Sequence, residues 1–191
     1  MIVLIRDRLS DSIKVKQGII ENSEIVENIA KCAQSVIEAL KNNKKLLLCG
    51  NGGSAADAQH IAAELQGKFY VDRASLSAIA LNTNTSVITS VGNDYGFSKI
   101  FSRQVEGLGN TGDVLIGIST SGNSENVVEA FHKARELGIK RISLTGESGG
   151  SLKSISDICV RIPSADTPRI QEAHILIGHI MCELIEKELF S

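Results

Sequence analysis

The sequence lacks a surplus of charge of either sign: 20 Lys and Arg against 22 Asp and Glu leave its 191 residues at a net −2. That balance gives no bulk electrostatic reason to bind nucleic acid or a membrane surface, and neither is expected as a partner. Paired cysteine patterns are missing too. Cys32, Cys49, Cys159 and Cys182 form no CxxC and no dense framework, and Cys49 and Cys159 lie in strand-like apolar runs. Reduced core thiols in a cytoplasmic protein are the expectation. No apolar run approaches the about 20 residues of a membrane span. The opening "MIVLIRDR" turns to charge after five apolar residues, too few for the core of a signal peptide.

What is present is an ordinary globular composition, 42% hydrophobic and 22% charged, in a length that suits one well-packed domain. Short apolar runs at 45–50, 76–82, 113–119, 140–146 and 157–163 read as strands covered on both faces. Helical patterns separate them at 54–66, 84–91, 97–106 and 123–137. Such alternation predicts an α/β fold, a doubly wound, five-stranded, mainly parallel sheet flanked by helices. The expected organisation is N-terminal helices over 1–44, the α/β core over 45–167 and a C-terminal helix over 168–191. Within 23–42, Ile25, Ile29, Cys32, Val36, Ile37 and Leu40 form one apolar stripe. In the last helix Pro168 suits the first turn, and Ile170, Ile177, Met181, Leu184 and Ile185 recur at helical spacing. That helix is apolar almost all round, so its burial should involve more than its own domain.

Two strand-to-helix loops carry the polar chemistry. In "LLLCGNGGSAADAQHIAAELQG", Leu46 to Gly67, the residues Gly50, Gly52 and Ala55 fit a G-x-G-x-x-A spacing. A dinucleotide loop also needs an acidic residue about 20 positions on. Asn82 ends the next strand instead, and no Walker lysine follows the glycines. Nucleotide binding is therefore not expected. The second loop, "STSGNS" from Ser119 to Ser124, packs four hydroxyl side chains between a strand and a helix. Helix N-termini offer unsatisfied N–H groups and partial positive charge, and hydroxyls add donors without net charge. Such a cradle suits one phosphate monoester; helix capping would account for one of Ser121, Asn123 and Ser124, not for all the hydroxyls.

His60 and Glu64 stand four apart, hence on one helix face. The C-terminal helix adds Gln171, Glu172, His174 and His179, with Gln171 and His179 within about 80° of each other around it. His179 lies in "IGHIMC", an apolar setting in which an unpaired imidazole is costly. If the two helices meet, His60, Glu64, Gln171 and His179 make a set of N and O donors suited to zinc. The same set could supply a carboxylate base and an imidazole acid, and spacing does not choose between the roles.

The blocks "CGNGGSAADAQHIAAEL", "VGNDYGF", "GISTSGNSENV", "SLTGESGG" and "RIQEAHILIGHI" run in order through the chain. Together they resemble the phosphoheptose isomerases, a family of sugar-isomerase (SIS) domain proteins. The resemblance implies conversion of sedoheptulose 7-phosphate to glycero-manno-heptose 7-phosphate, which feeds the heptose of bacterial surface polysaccharide. It implies a zinc ion per subunit on His60, Glu64, Gln171 and His179. It assigns Asn51, Gly52, Gly53, Glu64, Asn93, Asp94, Ser119, Thr120, Ser121, Ser124 and Gln171 to substrate contact, and makes Glu64 and His179 the proton-transfer pair. One departure is Lys68, where the family often has arginine. SIS relatives that act as scaffolds for the bacterial replication initiator lack the acid of Glu64 and the imidazole of His179, and this chain has both. An isomerase for another phosphosugar is the remaining alternative.

An aldose–ketose interconversion needs a base at the carbon acid and a proton donor at the carbonyl oxygen. Glu64 is expected to act at carbon 1 of the ketose and His179 at the oxygens. The resemblance favours a homotetramer, and the apolar flanking helices give an assembly a reason to form. Because the C-terminal helix carries Gln171 and His179, at least one active-site side chain is expected to cross from a neighbouring subunit. On that expectation Glu64 and His179 could act from different chains.

Overall fold

Apolar runs buried on both faces decide the sheet, and the computed structural model, which describes residues 1–190, forms all five of them. In chain order the elements are α1 (Ile2–Glu21), α2 (Ser23–Lys41), β1 (Leu46–Gly50), α3 (Gly53–Gln66), β2 (Ala78–Ala80), α4 (Thr85–Tyr95) and α5 (Ser102–Leu108). There follow β3 (Val114–Ser119), α6 (Glu125–Glu136), β4 (Lys140–Thr145), α7 (Leu152–Ile155), β5 (Ile158–Arg161) and α8 (Thr167–Phe190). Ser191, the end of the expected C-terminal segment, lies outside the described residues. The strands pair in parallel throughout, in the order β2-β1-β3-β4-β5.

Side chains alternate between two helical layers, as the pleat requires. Leu46 and Leu48 pack with α2, α3 and α8, while Leu47 and Cys49 pack with α5, α6 and α7. The expected stripe on α2 is that helix's buried face, with Leu40 at its margin. Two expected elements differ. The strand expected at 76–82 forms only over Ala78–Ala80, because an edge strand has β1 as its sole partner and registers with three of its residues. The helix at 97–106 opens as a 3₁₀ turn over Phe97–Lys99, started by Gly96 at φ +90°, and α5 begins at Ser102. Burial pushes the thiols of Cys32, Cys49 and Cys182 up to about 12, so they are inert core groups, whereas Cys159 is only half-buried. No helix among the described residues is long and apolar enough to cross a membrane.

Both α3 and α8 follow strands of one parallel sheet, so they run in the same direction, and they pack side by side. Gly53 abuts Gln171, Ile61 abuts Gly178, and the backbone at 69–71 reaches Glu186, residue numbers rising together along both. A Cβ on Gly178 would lie 2.7 Å from Ile61 Cδ1, so glycine there permits the close approach. Past the end of α3 the pair is clamped by ions. The Arg73 guanidinium donates to the carbonyls of Glu64 (2.9 Å) and Leu65 (2.7 Å), orphan acceptors at a helix end, and from Nε to Glu186 (3.1 Å). Glu186 accepts in addition from the N–H groups of Phe69, Tyr70 and Val71 at 2.8–3.1 Å. Burial pushes the Glu186 carboxyl up, but these donors outweigh it and hold it below the usual range. A buried ion pair survives when its hydrogen bonds are complete, as here.

His174, on α8, is the core histidine. Its Nε2 lies 3.2 Å from the Thr145 carbonyl and its Nδ1 is buried without a partner, so Nε2 carries the proton and the ring is neutral. Burial pulls its pKa down to about 4 against the hydrogen bond. The unfolded chain therefore binds the extra proton between about pH 6.5 and 4, and the stability His174 contributes is complete above that window and lost as pH falls through it. Asp57, raised to about 6 by burial despite His60, works in the opposite sense. The clean comparison is thus with His174→Gln. Urea unfolding at pH 7 and pH 4.5 should show wild type losing on the order of 2–3 kcal/mol more than the variant on acidification; equal losses would mean that the ring is not held neutral.

Candidate active site

In a parallel sheet of this order the winding reverses between β1 and β3, and ligands bind there beyond the carboxyl ends of the strands. The chain leaves β1 for α3 on one face of the sheet and leaves β3 for α6 on the other. That rule puts the ligand crevice between the two loops. Gly52 enters α3 at φ +55° and ψ −121°, a conformation that side chains resist, and no side chain caps that helix. Gly53 packs directly on a side chain: a Cβ there would lie 2.6 Å from Gln171 Nε2, and Gln171 would have to move aside.

The serine loop gathers its hydroxyls together. Ser124 precedes α6 but makes no side-chain cap; its Oγ lies 2.9 Å from Ser119 Oγ, which is also 3.5 Å from Ser121 Oγ. Ser121 Oγ accepts from the Asn123 N–H at 3.1 Å, and Asn123 Oδ1 accepts from Ser151 N–H and Oγ–H. Gly122, at φ +67°, packs so tightly on the next loop that a Cβ would come within 2.1 Å of the Gly149 carbonyl oxygen. Thr120 and Ser121 line a cavity of about 230 Å³ with Gly146, Glu147, Ser164 and Thr167.

Between α3 and α8 three ionisable groups meet within one chain. His60 Nε2 lies 3.1 Å from Glu64 Oε1 and 3.0 Å from His179 Nε2, and the ligand atoms of all three fall within 4.8 Å of one another. The 3.0 and 3.1 Å separations are a little shorter than the spacing of ligand atoms about 2.0–2.2 Å from a tetrahedral zinc, so the three donors could hold a metal with small adjustments. The His179 ring stands 5.0 Å from that of His60 and 5.8 Å from Phe69, centroid to centroid. His179 sits in an apolar stretch of sequence, yet its side chain turns to a half-open surface, because the neighbours Gly178 and Met181 take the core side. One expectation is corrected here. Glu64 and His179 converge without a neighbouring subunit, because α3 and α8 of one chain already lie together.

Gln171 reaches the glycine loop at Gly53. Asn93 and Asp94, near the end of α4, are exposed; the hydrogen bond between them (2.8 Å) links neither to the serine loop. Sequence reasoning missed three residues. Asn126, in the first turn of α6, exchanges two hydrogen bonds with Asn51 (2.8 and 2.9 Å), and only its place just after the serine loop hinted at a role. The Arg73–Glu186 clamp had no signal beyond a lone acid on an apolar helix face.

Residues 12–146 match the family model of the SIS domain. A phosphoheptose isomerase of Clostridium acetobutylicum is 56% identical over 187 residues, which is 98% of this chain and 95% of that protein. The structure of a phosphoheptose isomerase from Francisella tularensis matches with a TM-score of 0.94 at 41% identity, covering 97% of this chain and 98% of that one. That of the Neisseria gonorrhoeae phosphoheptose isomerase gives 0.90 at 46%, over 96% and 97%. With this sheet, these two loops and near full-length likeness, the chain belongs to the phosphoheptose isomerase family of SIS-domain proteins.

Proposed function

We propose that the chain, as one SIS domain, converts sedoheptulose 7-phosphate to D-glycero-D-manno-heptose 7-phosphate, supplying the heptose of a bacterial lipopolysaccharide or capsule. The observation that carries the reading is the meeting of His60, Glu64 and His179 between α3 and α8. The phosphate belongs at Ser119, Thr120, Ser121 and Ser124, where hydroxyls and the N-terminus of α6 favour an anion. Gly52, Gly53 and Gln171 line the path of the sugar, and Asn93 and Asp94 complete its contacts. Glu64 removes a proton from carbon 1 of the ketose while oxygen 2 gains one, and returns a proton to carbon 2. His179 carries the matching proton from oxygen 1 to oxygen 2, so the isomerisation is balanced.

One zinc ion per subunit would be held by His60, Glu64, Gln171 and His179, and would polarise the substrate carbonyl as a Lewis acid. The assembly is a homotetramer in the cytoplasm with its sites at subunit interfaces. Uncovered apolar residues support an assembly: α1 leaves Ile2, Leu4, Ile5, Leu9 and Ile13 in solvent, and Tyr95 at the end of α4 is exposed.

Two experiments test the reading. Glu64→Gln keeps the shape but not the basicity, and should cut turnover about 10²–10⁴-fold in an assay coupled to heptose 7-phosphate formation, with folding intact. A variant that keeps more than a few per cent of wild-type turnover would remove Glu64 as the base. In the same assay chelation should lower the rate and zinc restore it; no response would exclude a working metal. Separately, Ser119→Ala, Ser121→Ala and Ser124→Ala should each weaken substrate binding about tenfold or more, the worth of a hydrogen bond to a charged group. Non-phosphorylated sedoheptulose should respond far less, and equal losses for both sugars would take the phosphate away from this loop.

A further inference from the structure

The resemblance assigns Asn51 to the substrate, but its side chain faces another partner. Asn51 Nδ2 donates to Asn126 Oδ1 at 2.8 Å, and Asn126 Nδ2 donates back to Asn51 Oδ1 at 2.9 Å. The two residues are 75 apart in sequence, and Asn126 is 2% exposed. Their ring of two amides spans the root of the crevice, where the chain from β1 departs to one face of the sheet and the chain from β3 to the other. A third amide steadies the same edge: Asn82 Nδ2 donates to the Gly50 carbonyl at 2.7 Å.

Resting on the reaction proposed above, we propose that Asn126 is a positioning residue that acts through Asn51. It fixes the glycine loop and the start of α3 relative to the serine loop and the start of α6. A phosphate held at one loop and the carbons presented to Glu64 on α3 then keep one spacing, and a displacement of an ångström at this point costs heavily in rate. The neutrality of the pair suits the place. A carboxylate at either position would lose one of the two donors and set a negative charge beside the phosphate. The backbone of 51–53, more than the Asn51 side chain, meets the sugar.

The test is a double-mutant cycle on Asn51→Ala and Asn126→Ala, with kcat and KM for sedoheptulose 7-phosphate, inhibition by inorganic phosphate, and backbone hydrogen exchange over residues 51–56. Each single variant should lower kcat/KM about tenfold or more, the double variant should be no worse than the poorer single, and phosphate inhibition should stay within about twofold of wild type. Exchange over 51–56 should quicken in Asn126→Ala. Additive losses would put the Asn51 side chain on the substrate, and weakened phosphate inhibition would make Asn126 a part of the serine loop's own fold. Either result overturns the proposal, as does a neutral Asn126→Ala. A wild-type chain that does not turn over this ketose would refute the reaction instead, and the exchange arm still decides the tie: unchanged exchange in Asn126→Ala overturns it.

Discussion

Glycine at position 178 lets α8 approach α3 so closely that a Cβ there would come within 2.7 Å of Ile61, and the geometry of the site follows from that spacing. His60 and Glu64 lie on one face of α3, and the approach sets His179 beside them. The contact is held at both ends. Gln171 rests on Gly53 where the helices begin to meet, and the Arg73–Glu186 pair closes the far end while satisfying carbonyls of α3. Buried charges with complete hydrogen bonds tolerate little displacement, since losing one partner leaves the other unpaired in a poor dielectric. The clamp therefore holds the end of α3, and with it Glu64, at a constant distance from α8.

The phosphate recognition proposed for the serine loop rests on different physics. The chain has no excess of cations, and the serine loop holds four hydroxyl side chains and no lysine or arginine. Hydroxyl donors and a helix N-terminus bind an anion through oriented dipoles, with little charge to be screened by salt. The winding of the sheet opens the crevice between the glycine and serine loops, and neutral amides brace it. In the reaction proposed here, proton transfer falls to α3 and α8 and anion binding to the far loop, so the two tasks would be built from separate elements around one sheet edge.

Much of this was legible in the sequence, for definite reasons. Strands buried on both faces leave continuous apolar runs such as "KLLLCG", and both loops announce themselves through glycine and serine between a strand and a helix. The spacing of His60 and Glu64 gives their shared face directly. Helix rotation does not show in the same way: of two histidines five residues apart on one apolar helix, His174 is buried and His179 opens to the site. Long-range polar pairs were hidden as well. Glu186 reads as one of three acids near the helix end, with Glu183 and Glu188, and Asn126 as a helix-start residue, because their partners lie over a hundred residues away in one case and 75 in the other. The edge strand was read too long because pairing, more than apolar content, sets its ends.

The central claim, that one chain completes the proton-transfer pair through the contact of α3 with α8, has a direct measurement. Two inactive chains, Glu64→Gln and His179→Ala, are co-refolded with distinguishable tags, mixed oligomers are isolated, and isomerase activity is assayed. With both groups supplied by the same chain, no mixed oligomer contains a complete pair, and activity stays at the level of the separate variants. Recovery of a substantial fraction of wild-type turnover in the mixed oligomers would mean that the pair is formed between subunits, and would contradict the account.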